Sequence, residues 1–116
     1  MKTKLTVSIV LLVLLFSGIQ KLHAQDGVEG AYSVGKTSCT IEWSQYDKAY
    51  KCYWSEGTGY TLIFYKEDQP NGNIVYDEYE KDGVTYTGTF TFKTDSYRSG
   101  VYSRSDGKEF SVKRRR

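Results

Sequence analysis

Histidine, methionine and proline are almost absent from this chain of 116 residues. The single histidine, His23, and the single methionine, Met1, both precede residue 25, and Pro70 is the one proline. Without histidine beyond position 23, the rest of the chain has no Ser-His-Asp or Cys-His catalytic group, no histidine-ligated zinc and no histidine pH switch. These absences exclude many common hydrolase mechanisms.

Long hydrophobic runs are also missing, apart from one near the start. Residues 1–4 are cationic, residues 5–16 are mainly apolar, and a more polar segment ends at Ala24. This order is typical of a secretory signal peptide, with cleavage expected directly after Ala24. The apolar run covers about 12 residues, fewer than the ~20 that a membrane-spanning helix needs. We therefore expect residues 1–24 to be removed, leaving one small secreted or periplasmic domain at 25–116 with no transmembrane segment.

Charge of one sign does not dominate the remaining chain. Removing residues 1–24 leaves 13 basic and 14 acidic residues, and 4 of the basic ones form a tail at 113–116. Residues 25–112 then carry a net charge of −5, whereas a nucleic-acid-binding domain needs lysine and arginine clustered on its own surface. We expect no nucleic-acid partner, and a basic tail that is exposed to solvent.

Aromatic residues are abundant where leucine is scarce. All 11 tyrosines and both tryptophans follow residue 24, and Leu62 is the only leucine there. This composition is typical of strands, and turn signals recur about every 8–12 residues, as in β-barrels and sandwiches. We predict eight strands, at residues 29–35, 38–44, 48–55, 59–66, 73–80, 84–93, 97–104 and 108–114.

The short connections make consecutive strands antiparallel neighbours. The predicted fold is therefore all-β, a small antiparallel eight-stranded meander forming a barrel or a curved sandwich. A barrel of eight strands either holds one small ligand or is filled by side chains.

The register of two hairpins can be predicted from their turns. Asp82-Gly83 and Asp106-Gly107 each suit a two-residue type I′ turn, in which both central residues have positive φ. The first turn would place Asp77 opposite Gly88 on the apolar face of its hairpin. Asp77 is therefore our candidate buried acid, and the glycine opposite it would leave room for a ligand or a partner side chain.

The two cysteines, Cys39 and Cys52, fall on consecutive predicted strands of an exported chain. If they are directly opposed, they share an inward face with Ile41 and Trp54, and a disulfide between them is expected. Closing this loop would stabilise the domain by about 3 kcal/mol. Neither a C-x-x-C spacing nor a helix N-terminus supports a redox-active pair.

Paired carboxylates are the remaining route to catalysis, as in a carboxylate-dependent glycoside hydrolase. Glu78 and Glu80 are predicted to lie on the face opposite Asp77, so no pair forms. The spacing of acidic residues also lacks the alternation of a calcium-binding loop. We expect no enzymatic activity, no catalytic residue, no metal and no cofactor.

The C-terminal strands concentrate basic and aromatic residues, which are common at binding hot spots. The candidate binding residues are Tyr97, Arg98, Ser99, Tyr102, Arg104 and Lys108. This segment is similar to the bacterial periplasmic inhibitors of C-type lysozyme, small secreted eight-stranded barrels with a Ser- and Gly-containing, tyrosine-bearing loop and a later lysine. The resemblance implies that Ser99, Tyr102 and Lys108 would contact an acidic active site. One residue separates Gly100 from Tyr102 where that family usually has two, and the family's Trp-Lys-Gly element is missing.

The sequence as a whole predicts an exported, non-enzymatic binding module. We expect a protein-binding role of the inhibitor or immunity type, with an extracytoplasmic protein as partner. Three alternatives stay open: a barrel that binds a small ligand, a lysozyme-inhibitor-like protein and a carboxylate-dependent glycoside hydrolase.

Overall fold

A computed structural model describes residues 27–57, 59–93 and 96–115, so the predicted signal peptide at 1–24 lies outside the described residues. The described residues form eight β-strands, and each corresponds to a predicted strand with ends that differ by at most two residues. The strands are β1 (Gly30–Val34), β2 (Thr37–Ser44), β3 (Ala49–Trp54), β4 (Tyr60–Asp68), β5 (Ile74–Tyr79), β6 (Tyr86–Phe92), β7 (Ser99–Arg104) and β8 (Glu109–Arg115).

The strands form one closed antiparallel barrel rather than a sandwich. Each strand pairs with the next along the chain, and β1 also pairs with β8. Closure leaves no strand with an unpaired edge, which protects a chain rich in tyrosine and threonine from edge-to-edge aggregation. Across the described ranges, no helix is long and apolar enough to cross a bilayer.

Side chains fill the interior of the barrel. Tyr32, Ile41, Ile63, Phe90 and Phe92 point inward, and each has 0% of its surface exposed. The rings of Phe90 and Phe92 stack with centroids 5.8 Å apart. The lumen is therefore a packed core, the first of the two states available to an eight-stranded barrel.

The meander gives the barrel two different ends. The mouth is the end with the β1–β2, β3–β4, β5–β6 and β7–β8 loops, and the base is the end with the other three loops and both termini of the described chain. A ligand that cannot enter the packed core can only approach the barrel at one of these ends or on its outer face.

Arg114 closes the base. Its guanidinium donates hydrogen bonds to the backbone carbonyls of Gly27 (3.1 Å), Glu29 and Ser96 (3.3 Å) and lies 5.6 Å from the ring centroid of Tyr32. The prediction of a solvent-exposed tail is therefore wrong for Arg114. The residues before and after it have exposed side chains, although both belong to β8.

The predicted register of the β5–β6 hairpin is confirmed next to the turn, where Tyr79 faces Tyr86, and is wrong further along the strands. Glu80 and Thr85 flank a four-residue loop, and Gly83 alone in that loop has positive φ, at 70°. A β-bulge at Thr87 then shifts the pairing, so that Glu78 rather than Asp77 faces Gly88. Because successive side chains alternate between faces, this shift of one residue reverses the face of every side chain in β5.

The predicted two-residue turn of the β7–β8 hairpin is also wrong. Its loop has three residues between Arg104 and Lys108, and Gly107 has a φ of 92°. Asp106 has no positive φ, so the loop is a type I turn followed by a glycine bulge rather than a type I′ turn. Val101 consequently faces Ser111.

The inward face shared by Cys39 and Cys52 is confirmed, but their direct opposition is wrong. Cys39 faces Trp54 across the β2–β3 pair, and Cys52 faces Ile41. The two cysteines are buried free thiols that approach to 3.6 Å, which is not disulfide distance. Burial, reinforced by a hydrogen bond with Cys39, raises the pKa of the Cys52 thiol well above its usual range. The disulfide stays a prediction.

Candidate functional site

A buried carboxylate lies inside the barrel near its mouth. Glu78 on β5 is 1% exposed, and it is the only charged side chain in the buried core of the described residues. Burying a charge is costly unless hydrogen bonds replace the lost water. The surroundings of Glu78 therefore decide whether this residue can be tolerated at all.

Three neutral side chains donate hydrogen bonds to Glu78. Trp54 Nε1 (2.8 Å) and Thr61 Oγ1 (2.5 Å) donate to Oε2, and the Tyr102 hydroxyl (2.5 Å) donates to Oε1. An ionised carboxylate only accepts hydrogen bonds, so three donors suit it. Burial, with a further contribution from the hydrogen bond to Glu78, raises the pKa of the Tyr102 hydroxyl well above its usual range.

Gly88 makes room for this network. It pairs with Glu78 across β5 and β6, and a Cβ atom at position 88 would lie 2.6 Å from the Tyr102 hydroxyl oxygen. The sequence predicted that Gly88 would leave space opposite an inward-facing acid, and this space exists. The acid is Glu78, however, and the ring of Tyr102 fills the space.

A pocket of about 340 Å³ opens at the mouth, directly beside this network. It is lined by residues of β1, β2, β3, β7, β8 and the adjoining loops, namely Val34, Lys36, Thr37, Trp54, Glu56, Tyr102, Arg104 and Phe110. Trp54 and Tyr102 thus have two roles, since each lines the pocket and donates a hydrogen bond to Glu78. The two rings pack together with centroids 5.2 Å apart.

Charged side chains of both signs surround the pocket. Lys36 and Glu56 are exposed lining residues. Arg104 forms an ion pair with Asp106 at 2.7 Å, and its guanidinium lies 5.2 Å from the ring centroid of Phe110. The hydrogen bonds from Arg104, together with one from a backbone amide, lower the pKa of Asp106 to about 2.

Asp77, the predicted buried acid, lies on the outer face of the barrel instead. Its Oδ1 accepts a hydrogen bond from Thr89 Oγ1 at 2.9 Å, and its Oδ2 is 3.9 Å from Lys66 Nζ. Its side chain is 19% exposed. The bulge at Thr87 is the physical reason, because it brings Glu78 inward and turns Asp77 outward.

The six predicted binding residues do not form one surface. Tyr97 packs against the core at the base, where its ring centroid is 5.2 Å from that of Phe92, and Arg98 is exposed beside it. Ser99 begins β7 and is half-buried, whereas Lys108 is exposed at the mouth.

Only two of the six, Tyr102 and Arg104, line the mouth pocket. Tyr102 is 6% exposed, and its hydroxyl is directed at Glu78. The segment that resembles a lysozyme-inhibitor loop is strand β7 in this fold, with Ser99 and Lys108 at opposite ends of the hairpin. These three residues do not share a contact surface.

Sequence reasoning missed Glu78, and the residues around it explain why. In β5, the frame of Ile74, Tyr76 and Glu78 and the frame of Val75, Asp77 and Tyr79 each hold two apolar residues and one acid. Alternation therefore gives no preference for either face. The pocket residues of β1 and β8 were missed because barrel closure brings them together from distant parts of the chain.

The described residues contain no group of histidine, cysteine, aspartate and glutamate side chains that could hold a metal ion. Comparison of the chain with protein-family models, curated proteins and solved structures finds no match.

Proposed function

We propose that this protein is a non-enzymatic binding module that takes a small ligand into the pocket at its mouth. The observation that carries the proposal is the pocket itself, about 340 Å³ in volume and lined by Trp54, Tyr102 and Phe110. Ligand sites are typically concave, mostly apolar clefts of about 300–1,000 Å³ with a few polar groups. A packed core below the pocket supports a rigid floor.

Binding without catalysis is supported by the surroundings of Glu78. Its two oxygens already accept three hydrogen bonds, and it is 1% exposed. A carboxylate in this state is poorly suited to move a proton to or from a ligand. Glycoside hydrolysis would also need a second carboxylate beside it, whereas the carboxylate that lines the pocket, Glu56, is exposed at the rim.

The proposal is tested by screening small neutral, cationic and anionic molecules for binding with ligand-observed NMR. Thr37 lines the pocket, so Thr37→Phe should fill the mouth with an aromatic ring and abolish binding. Thr40→Phe is the matched control, because Thr40 lies exposed on the outer face of the same strand. A binder retained by Thr37→Phe, or no binder at millimolar concentration, would contradict a ligand site at the mouth.

A protein partner is the second candidate, favoured by an exposed aromatic strip on the outer face of β4–β6. Phe64, Tyr79 and Tyr86 form the strip, with ring centroids 5.9 and 6.0 Å apart, and Phe64 and Tyr86 are 37% and 44% exposed. Aromatic residues are enriched at protein interfaces.

The inhibitor form of this candidate is tested by measuring lysozyme activity on peptidoglycan with and without the protein. Tyr86→Ala should relieve inhibition if the aromatic strip is the contact surface, whereas Lys108→Ala should relieve it if the hairpin is. Full lysozyme activity in the presence of the unaltered protein would eliminate the inhibitor form.

We also propose that the protein is exported, processed after Ala24 and oxidised to a Cys39–Cys52 disulfide. The approach of the two buried thiols to 3.6 Å on one inward face supports the pairing. Disulfide exchange with an oxidised thiol catalyst would remove the two hydrogens. The exported protein should have the mass of residues 25–116 less two hydrogens. Retention of residues 1–24, or two alkylatable thiols after unfolding without reductant, would contradict this.

A further inference from the structure

We propose that the ligand of the mouth pocket is a small organic cation, an alkylammonium compound. This inference rests on the proposed function and names the chemical class that the site would take. It comes from the juxtaposition of three aromatic rings with a buried carboxylate that has no cationic partner among the described residues.

The walls of the pocket suit a cation. Trp54, Tyr102 and Phe110 all line it, and the faces of aromatic rings attract ammonium and guanidinium groups. The protein already makes such a contact there, since the Arg104 guanidinium lies 5.2 Å from the centroid of Phe110. Clusters of aromatic rings are the usual recognition element for alkylated ammonium groups.

Glu78 supplies negative charge behind this wall. It is 1% exposed, and its three hydrogen-bond donors are all neutral. A buried charge is poorly screened by salt and water, so its field extends further than that of an exposed charge. Two of the donors, Trp54 and Tyr102, are themselves pocket residues, which places the charge directly behind the lining.

The two basic residues of the pocket do not reverse this preference. Arg104 is neutralised by Asp106, which accepts three hydrogen bonds from its guanidinium at 2.7–3.1 Å. Lys36 is exposed and is opposed by the exposed Glu56 on the same pocket. Both exposed charges are screened by solvent. The charge that remains unbalanced is the buried carboxylate.

The inference is tested with three molecules of nearly identical shape. Choline is a cation, 3,3-dimethylbutanol is its neutral isostere, and 3,3-dimethylbutanoate carries a negative charge. Binding is followed by the fluorescence of Trp54 in a Trp43→Phe background, which removes the other indole. We expect the dissociation constant of choline to be about tenfold lower than that of the neutral isostere, with the carboxylate binding most weakly.

Charge-removing variants then identify the source of the preference. Glu78→Gln should reduce the preference for choline over its isostere to below about threefold, because the cation–π contacts alone remain. Glu67→Gln is the matched control, since it removes an exposed carboxylate near the base. If Glu78→Gln fails to fold, salt tests the same field. Added sodium chloride at about 0.5 M should leave the preference for choline nearly unchanged, because the buried carboxylate is poorly screened whereas exposed charges such as Glu56 are screened.

The possible failures are distinguishable. If the neutral isostere or the carboxylate binds at least as tightly as choline, the pocket is a ligand site but the cationic class is wrong. An unchanged preference in folded Glu78→Gln, or a preference that is lost in high salt, also overturns the inference. If none of the three molecules binds, the cationic class is wrong as well, and the NMR screen with Thr37→Phe decides separately whether the pocket binds any ligand.

Discussion

The base and the mouth of the barrel each contain a charged side chain, but the hydrogen bonds that stabilise the two charges come from different kinds of group. At the base, the guanidinium of Arg114 donates to three backbone carbonyls and covers the ring of Tyr32. At the mouth, the carboxylate of Glu78 accepts from three neutral side chains. The cation at the base therefore binds backbone, whereas the anion at the mouth binds side chains that also face a pocket.

Because of this difference, we expect the base to contribute to folding stability and the mouth to contribute to ligand binding as well. Backbone carbonyls of the segment before β1 and of the β6–β7 loop are tied together by Arg114, so the base is sealed by the chain itself. The mouth is not covered in the same way, and the two aromatic residues held by Glu78 line an accessible pocket. We expect changes at the base to reduce folding stability, and changes at the mouth to alter the pocket as well.

Replacing one glycine at each end of the barrel with alanine should give the largest difference in folding stability between the two ends. A Cβ atom at position 100, towards the base, would lie 2.2 Å from the backbone oxygen of Thr91, whereas one at position 88 would meet the ring of Tyr102. Backbone cannot move aside easily, so Gly100→Ala should lower the free energy of unfolding by more than about 3 kcal/mol.

Gly88→Ala should cost less, about 1–2 kcal/mol, because the Tyr102 ring can rotate away. That rotation should break the hydrogen bond to Glu78 and change the fluorescence of Trp54. Urea denaturation of both variants measures the two costs. Equal costs would show that the mouth is as rigid as the backbone contact nearer the base.

Replacing the cation at the base, Arg114, should cause the next largest loss of folding stability. Arg114→Met keeps an apolar chain over Tyr32 but removes all three hydrogen bonds to carbonyls. We expect a loss of about 2–3 kcal/mol in the free energy of unfolding, because hydrogen bonds to charged groups contribute more than neutral ones. Arg115→Met is the control, since Arg115 is exposed in the same strand and should change stability by less than about 0.5 kcal/mol. Similar losses in the two variants would mean that Arg114 does not seal the base.

Replacing the anion at the mouth should have a smaller effect on stability. In Glu78→Gln the amide nitrogen cannot accept a hydrogen bond, so one of the three donors loses its acceptor. We expect a loss of about 1–2 kcal/mol at pH 7 by urea denaturation. Asp77→Asn, the adjacent change on the outer face, should cost less than about 0.5 kcal/mol, because its amide oxygen can still accept a hydrogen bond from Thr89. A larger cost for Asp77→Asn would contradict the register of β5.

The smallest expected effect is on the pH dependence of folding stability, and it comes from the ionisation of Tyr76, a tyrosine towards the base. Burial, followed by the hydrogen bond with Tyr97, raises the pKa of the Tyr76 hydroxyl above its usual value near 10. Above pH 10 the unfolded chain therefore loses this proton while the folded protein keeps it, and the free energy of unfolding falls as pH rises.

Tyr76→Phe should remove about 0.7 kcal/mol of the stability loss between pH 9.5 and 10.5. Tyr102→Phe at the mouth should flatten the pH dependence in the same direction, but it should also lower stability at pH 7 because Glu78 loses a donor. Denaturation curves at several pH values check both effects. An unchanged slope in Tyr76→Phe would show that its hydroxyl is not protected in the folded state.

Sequence patterns predicted the strands well and the hairpin registers poorly. The β2–β3 face with Cys39, Ile41 and Cys52 was predicted correctly, because polar residues alternate with apolar ones there. In β5 the two sets of alternating residues are equally apolar, so the register could be predicted only from the type of turn. The Asp-Gly pairs predicted two-residue turns. The bulge at Thr87 shifts the register of β5–β6, and the three-residue loop shifts that of β7–β8.

The sequence by itself determined the class of the fold, the number of strands, their order and the absence of histidine chemistry from residues 25–116. These properties depend on local composition and on the spacing of turns, which neighbouring residues specify. The tertiary structure alone decided that Glu78 is the buried acid, that Arg114 seals the base and that Trp54, Tyr102 and Phe110 meet at one pocket. Each of these depends on how strands pair and pack, and a one-residue bulge or the pairing of β1 with β8 is enough to create or remove the contacts.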